Sequence, residues 1–330
     1  MPRRRVVISI LALGLLSVPG STAAPTSAAV PSCTVSHVLR WGGRRAEVSC
    51  LEQALLDRGY TLVGPDSYLG VTTTAAVRHF QIDHGLAPDG IADGATNDAL
   101  GIGAPDAGPT GDQQRAIDAI QQVTIGTSVQ GRPITATERG TVGGKVVLVF
   151  GVIHGNENAG RKTIEVLKSQ PVPPGIDLWL VDSMNPDGEV LDQRQNANGV
   201  DLNRNFPRGW GPLGSPGYWQ YAGSGPASEP ETKAAVALIN AIHPTITLWY
   251  HQDAKLVVPA GADANVYRTY AQMVGLPIDE VVGGTYTGTA TQFTNYTVAD
   301  GTAFVVELPG IVSGWLALKH ASALLAVSRP

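Results

Sequence analysis

A histidine and a carboxylate stand three residues apart, directly after an apolar run in the middle of the chain. The apolar run covers residues 145–153, and residues 154–157 read HGNE. On a loop at the end of a buried strand, His154 and Glu157 can turn towards one point and offer a nitrogen and an oxygen to Zn²⁺. Catalytic zinc sites take three protein ligands, and His251, which ends another apolar run, is the expected third.

A second acid, Glu307, follows the apolar run 303–306. An ionised carboxylate is costly to bury in a core, so Glu307 is expected either to pair with a cation or to face a cleft. Next to a zinc ion that keeps an open position for water, a partly buried glutamate is a suitable general base.

Residues 194–207 (RQNANGVDLNRNFP) concentrate polar and basic side chains without helical periodicity. A solvated loop explains the polarity, but it does not explain two arginines bracketed by large apolar residues. Arginine offers a planar fork for a carboxylate or for a developing oxyanion. For HGNE alone, an alternative is open, because Glu157 could simply favour a helix N-terminus beside hydrogen-bonded histidines.

Five segments together resemble the zinc carboxypeptidase family, the carboxypeptidase A-like metallopeptidases, over roughly residues 112–330. They occur in the family's order and are HGNE at 154–157, NPDG at 185–188, the polar stretch at 194–207, His251, and VELP at 306–309. The resemblance implies an α/β fold with a mixed central sheet flanked by helices. It also implies one zinc ion per chain, held by His154, Glu157 and His251.

The same resemblance implies roles for the remaining site residues. Arg194 matches the arginine that polarises the scissile carbonyl, Asn203 and Arg204 match the pair that grips the terminal carboxylate, and Glu307 matches the catalytic glutamate. The family also supplies a tyrosine from a loop upstream of that glutamate. Tyr286 and Tyr296 both lie in this region, neither at the expected spacing, so the choice stays open with Tyr286 as the candidate for substrate binding.

Residues 33–102 form a separate small unit. Apolar residues recur at helical spacing near 48–56 and 76–80, and a third short helix is expected at 95–100, which predicts three helices around one core. The order FQ, GL, DGI, Thr96 and Leu100 resembles the peptidoglycan-binding type 1 domain, which accompanies many cell-wall hydrolases. Residues 103–111 are rich in glycine and proline, so they are predicted to be a linker.

Within the larger domain, residues 112–330, apolar runs alternate with helical patterns. The runs 145–153, 177–182, 245–250 and 303–306 predict strands covered on both faces. Helices are predicted at 112–123, 158–169, 229–242, 264–274 and 313–326. This alternation indicates a layered α/β domain with a mostly parallel or mixed sheet.

The N-terminus has the three-part layout of a secretory signal peptide. Three arginines at 3–5 precede an apolar run at 6–18 and small residues at 20–24. We therefore predict a signal peptide at 1–24 and a leader at 25–32. The protein is expected to be secreted and extracellular, either free or associated with the cell wall. The apolar run is too short to span a bilayer, so no stable membrane insertion is expected. Cys33 and Cys50 are then expected to form one disulfide.

The overall composition narrows the partners. Of 330 residues, 43% are hydrophobic and 15% charged, with a formal net charge of −5. These values indicate a globular protein and argue against nucleic acid as a partner. The oligomeric state is left open.

The combination of a wall-binding module with a catalytic domain of this type predicts a secreted zinc peptidase that hydrolyses an amide bond in peptidoglycan stem peptides. Relatives with this architecture commonly cut between D-glutamate and diaminopimelate, where Arg204 can hold a carboxylate of the diamino acid. One alternative is a secreted carboxypeptidase that trims ordinary peptides. An alternative of another class is a non-catalytic wall-binding protein. The specificity pocket, set in relatives between about 285 and 307, is not predicted.

Overall fold

The computed structural model describes residues 33–103 and 121–330, apart from residues 41, 42, 44, 63, 87–89, 142 and 282. The predicted signal peptide, the leader and nearly all of the predicted linker lie outside the described residues. Most of the helix predicted at 112–123 lies outside them as well. Secretion and the exact domain boundaries therefore stay predictions.

Three helices form the small N-terminal domain. They are α1 (Ala46–Leu56), α2 (Val71–Asp83) and α3 (Gly94–Ala99). Leu51, Phe80 and Leu100, one from each part of this unit, are fully buried in its core. A disulfide joins Cys33 to Cys50 in α1. The predicted three-helix core and the predicted disulfide are confirmed.

The larger domain is built on a seven-stranded mixed sheet with the order β1-β2-β4-β3-β5-β7-β6. The parallel strands β4, β3, β5 and β7 form its centre, and β1, β2 and β6 are antiparallel additions at its two edges. The strands are β1 (Gln121–Thr127), β2 (Pro133–Gly140), β3 (Lys145–Phe150), β4 (Ile176–Val181), β5 (Ile246–Gln252), β6 (Leu256–Val258) and β7 (Thr302–Leu308).

Helices cover both faces of this sheet. They are α4 (Gly160–Ser169), α5 (Pro186–Leu191), α6 (Pro230–Ile242), α7 (Ala264–Val274), α8 (Ala290–Thr297) and α9 (Gly314–Val327). One core lies between the sheet and α4, α7 and α9, and a second lies between the sheet and α6 and α8. Val147 and Val149 of β3 enter the first core, while Leu148 and Phe150 enter the second. Burial on both faces explains why the central strands are apolar without alternation.

Part of the predicted pattern is wrong at the start of this domain. Residues 121–123, the end of the predicted helix at 112–123, belong instead to β1, which pairs with β2 in an antiparallel hairpin. Val123 is buried against α6 and Ile125 is partly buried, which is the alternation of a strand with one covered face. The short elements α5, β6 and α8 were also not predicted.

The small domain contacts the large one at the end where the parallel strands begin. Helix α2 packs against α6, and the Tyr68 hydroxyl donates to the Thr124 carbonyl over 3.4 Å. Within the part of the chain that the structure describes, no helix is long and apolar enough to span a membrane.

Candidate metal centre

Three side chains from two neighbouring strand ends converge on one point. His154 and Glu157 lie on the loop between β3 and α4, and His251 lies near the end of β5, the strand beside β3. His154 Nδ1 is 2.9 Å from Glu157 Oε1, and His251 Nδ1 is 2.9 Å from Glu157 Oε2. One ligand atom of each residue lies within 4.8 Å of the other two. The structure thus brings together the three residues predicted as metal ligands.

A buried carboxylate behind the centre determines which imidazole nitrogen faces it. Asp201 is fully buried, and its Oδ1 lies 3.1 Å from His154 Nε2. A carboxylate at that nitrogen holds its proton, so the lone pair of Nδ1 points towards Glu157 and His251. Two imidazole nitrogens and one carboxylate are a donor set that zinc prefers, so the residues present fit a zinc ion.

The charge of the centre depends on the pKa values of Glu157 and Asp201, which the neighbouring side chains change. Burial favours the neutral form of Glu157, but the His154 and His251 imidazoles lower its pKa well below the ordinary range. Burial also opposes ionisation of Asp201, whose pKa His154 and Arg194 lower in the same way. Both carboxylates are therefore ionised, which is the form in which a carboxylate binds a metal ion or supports a metal ligand.

Asp201 also positions Arg194. The Nε and NH2 atoms of Arg194 donate to Asp201 Oδ2 over 3.0 and 2.8 Å. The remaining NH1 lies 3.1 Å from both His154 Nδ1 and Glu157 Oε1, and the Trp219 ring centroid is 5.3 Å from the guanidinium carbon. One buried acid therefore holds both a predicted ligand and the predicted carbonyl-polarising arginine, whose NH1 donor faces the centre.

The glycines of HGNE and NPDG are explained by a close crossing of two backbones. A Cβ on Gly155 would lie 1.9 Å from the carbonyl carbon of Gly188, so only glycine fits there. Asn185 reinforces the crossing, because its Nδ2 donates to the Ile153 and Arg194 carbonyls over 3.2 and 3.3 Å. NPDG, one of the five segments of the family resemblance, caps and begins α5, and it ties the His154 loop to the Arg194 segment.

Glu307 reaches the same centre from the neighbouring strand. Strand β7 runs parallel to β5 with Glu307 in register with His251. Its side chain lines the cleft in front of the metal centre, with 9% of the residue surface exposed. This is the partly buried position facing a cleft that the sequence predicts for a general base.

Asn203 and Arg204 lie on a short 3₁₀ turn, Leu202–Arg204, whose first backbone amides are organised by Asp201. Asn203 Oδ1 accepts from the Ala290 backbone N–H over 3.0 Å, which leaves its Nδ2 near His251. Arg204 is only 2% exposed, and burial lowers the pKa of its guanidinium. Its NH1 donates to the Asn203 carbonyl over 2.8 Å. A buried cation with spare donors at a cleft is suited to binding an anion.

The two candidate tyrosines lie in different places. The Tyr286 ring lies 4.9 Å from the Arg204 guanidinium carbon and lines the cleft, and its hydroxyl donates to the Val281 carbonyl over 2.7 Å. Tyr296 stacks against Arg208 at 3.7 Å, is 62% exposed and does not line that cleft. Tyr286 is therefore the tyrosine placed to meet a substrate.

The cleft has a volume of about 520 Å³ and contains all eight site residues of the sequence-based prediction. It also contains residues that were not predicted, among them Trp219, Gln220 and Thr289. Asp201 was missed as well, although it occurs within the polar stretch 194–207. An acid between Val200 and Leu202, both buried, was the available signal. Trp219 and Gln220 come from the loop 207–229, for which no sequence signal pointed to the cleft.

Comparison with known proteins identifies relatives of both domains. Residues 113–302 match the zinc carboxypeptidase family, and residues 44–100 match a peptidoglycan binding domain family. Murein peptide amidase A of Escherichia coli (strain K12) is 32% identical over 169 residues, which are 48% of this chain and 69% of that protein. Murein peptide amidase A of Vibrio campbellii is 28% identical over 227 residues, which are 65% and 90% of the two chains.

Solved structures show the same fold. Murein-tripeptide amidase MpaA from Escherichia coli O157 superposes with a TM-score of 0.54 and 26% identity, over 66% of this chain and 95% of that one. Carboxypeptidase A from Helicoverpa armigera gives a TM-score of 0.54 at 19% identity, over 64% and 68% of the two chains, which is a likeness of fold alone. The predicted fold class is confirmed.

Proposed function

Because the chain belongs to the zinc carboxypeptidase family, we propose that it is a secreted enzyme that hydrolyses an amide bond in peptidoglycan stem peptides, of the type that joins D-glutamate to diaminopimelate. The observation that carries the proposal is the convergence of His154, Glu157 and His251 beside Glu307, in a chain that also matches a peptidoglycan binding domain. The names of the murein peptide amidases describe action on such peptides. The Cys33–Cys50 disulfide supports an oxidising compartment.

Each group in the cleft has a place in amide hydrolysis. Zinc held by the three ligands would polarise the scissile carbonyl and make water more acidic. Glu307 takes a proton from the attacking water and passes it to the leaving amine. Arg194 donates through NH1 to the carbonyl oxygen as negative charge develops on it. Asp201 keeps Arg194 and His154 in place for these steps.

The substrate is anchored by a carboxylate on the residue that leaves with the amine. Asn203 and Arg204 supply the donors, and the Tyr286 ring covers the guanidinium. Diaminopimelate brings two carboxylates, so a stem peptide can supply hydrogen-bond acceptors to the unused donors of the buried Arg204 guanidinium. A secreted carboxypeptidase that trims ordinary peptides is the second candidate, because the same clamp suits any free C-terminal carboxylate. The complete set of ligands, base and oxyanion donor argues against a non-catalytic wall-binding protein.

Digestion of defined muropeptides, followed by mass measurement of the fragments, tests the proposal. We expect free diaminopimelate-containing products after incubation with the zinc-loaded enzyme, and none after treatment with a chelator. Ordinary L-peptides with free and with blocked C-termini serve as the comparison. Release of residues only from free L-peptides would establish the carboxypeptidase alternative, and inactivity on every substrate at full zinc content would favour the non-catalytic one.

A further inference from the structure

Gln220 presents a buried amide donor to the cleft. The residue is 1% exposed and lines the cleft wall on the side of Arg204. Its Oε1 accepts from the Thr285 backbone N–H over 3.2 Å, which determines the orientation of the amide. Among the residues that the structure describes, the Nε2 group has no hydrogen-bond partner. Buried polar groups are almost always hydrogen-bonded, so a donor left over in a substrate cleft points to an acceptor on the ligand.

The same small space is bordered by Arg204 and Tyr286. A Cβ on Gly284 would lie 2.8 Å from Gln220 Nε2, 3.5 Å from Arg204 NH2 and 3.4 Å from Tyr286 Cζ. Glycine at 284 thus keeps a side chain from crowding the Gln220 amide, beside which Arg204 and the Tyr286 ring also lie. Arg204 Nε is likewise buried and has no hydrogen-bond partner within the described part of the chain, so both residues have donors to spare.

We propose that Gln220 is a substrate-binding residue whose Nε2 shares with Arg204 a carboxylate of the residue released by cleavage. The two oxygens of one carboxylate can accept from a charged and a neutral donor at once, and the charged partner strengthens the pair. The assignment rests on the proposed function, since it requires amide hydrolysis in this cleft. It adds a donor from the loop 207–229 to the clamp formed by Asn203 and Arg204.

A purely structural role for Gln220 would be to join that loop to the one that carries Tyr286. Two substitutions separate the roles. Gln220→Glu keeps an acceptor for the Thr285 N–H but replaces the donor with a negative oxygen, whereas Gln220→Met removes both. Gln195→Met is the matched control, because Gln195 Nε2 ties the same loop by donating to the Trp219 carbonyl over 3.1 Å. Gln195 does not line the cleft.

The experiment measures kcat and KM for the tripeptide L-Ala-γ-D-Glu-meso-diaminopimelate and for the two forms in which one of the diaminopimelate carboxylates is converted to a carboxamide. The wild type should prefer the free form over one of the two amidated forms, which identifies the clamped carboxylate. Gln220→Glu should lower that preference about tenfold, mainly through KM, because a negative oxygen repels a carboxylate and accepts from a carboxamide. Gln220→Met should lower the preference less, and Gln195→Met should leave it unchanged.

The outcomes distinguish the two proposals. Active wild-type enzyme whose preference survives both Gln220 substitutions would overturn the role of Gln220 and leave the proposed function standing. Equal losses of activity on all three substrates in Gln220→Met and Gln195→Met would also overturn the role of Gln220 and leave the proposed function standing. They would indicate that Gln220 only connects the two loops. If Gln220→Glu does not fold, as judged by thermal melting, the Gln220→Met result decides. A wild type at full zinc content that cleaves none of the three peptides would overturn both proposals.

Discussion

In two pairs of carboxylates in the large domain, Glu157 with Asp201 and Glu138 with Asp177, the surroundings shift the pKa values in opposite directions. In the cleft, Glu157 and Asp201 have pKa values well below the ordinary range, although burial acts against ionisation. Towards the other end of the sheet, burial raises the pKa of Glu138 to about 7, with only partial relief from the Arg40 charge. Burial and the nearby Glu138 likewise raise the pKa of Asp177 well above its usual value.

The difference comes from the cations around each pair rather than from burial itself. Imidazoles and the Arg194 guanidinium contact the cleft acids directly. The acids of the second pair lie beside each other, and the cations that act on them, Arg40 and Arg78, come from the small domain. An acid that accepts hydrogen bonds from imidazoles and a guanidinium stays ionised and can serve a metal centre, whereas the pKa values of the second pair depend on the charges of Arg40 and Arg78.

The largest effect is expected from removing the acid that faces the cleft. Glu307→Gln should lower kcat on a muropeptide by roughly 10³-fold, because a positioned general base contributes on that order. Zinc content, measured by elemental analysis, should remain one per chain, since Glu307 is not among the converging ligands. Near-normal turnover in this variant would show that another group acts as the base. Glu138→Gln, in the second pair, is the matched control and should keep its activity.

A smaller but distinct effect is expected behind the metal centre. Asp201→Asn removes the charge that orients His154 and Arg194, so affinity for zinc should fall about 10- to 100-fold, as for other outer partners of metal ligands. Competition with a chelator of known affinity measures this change. Asp177→Asn, an equally buried acid at the other end of the sheet, is the control and should bind zinc like the wild type. Equal affinities of both variants would mean that Asp201 does not support the centre.

The smallest effect is expected at Glu138, where a substitution should raise the stability of the protein, whereas the two substitutions above lower activity or zinc affinity. Its pKa in the folded chain, about 7, exceeds the ordinary value of 4.5, so the folded state binds the proton more tightly. The free energy of unfolding should therefore decrease as pH rises from 4.5 to about 7. Glu138→Gln should remove the part of that decrease that Glu138 contributes, a gain of about 3 kcal/mol at pH values above the window.

Denaturant titrations of both proteins below and above that pH window measure the change. Activity on a muropeptide should stay at the wild-type level, because Glu138 does not line the cleft. If the two proteins lose stability in parallel as pH rises, Glu138 is not the group that titrates.

The metal ligands, Glu307 and the central strands could be predicted because each depends on a short-range pattern. An apolar run marks a strand buried on both faces, and a polar residue directly after it marks the strand end. His251 and Glu307 are separated by more than fifty residues, yet both follow such runs, and β5 and β7 place them side by side. The β1–β2 hairpin was missed because residues 121–123 are too few to separate a strand from the end of a helix.

Residues whose roles depend on distant partners could not be predicted. Gln220 lies in a loop without periodicity, and only the fold brings its amide next to Arg204 and the Gly284 backbone. Glu138 and Asp177 are ordinary polar residues within strands. Their burial follows from the packing of the sheet and from charges that the small domain supplies.

By itself, the sequence determined which chemical groups are present and where the long apolar runs and most of the longer helices lie, since residue type and spacing encode both directly. It therefore determined the candidate metal ligands, the candidate general base, the α/β class and the disulfide-bonded three-helix unit. Tertiary structure alone decided that Asp201 holds His154 and Arg194 together, that Tyr286 rather than Tyr296 meets the cleft, and that Gln220 faces it. Each of these depends on distances between segments far apart in the chain, and such distances exist only once the two cores on the sheet are packed.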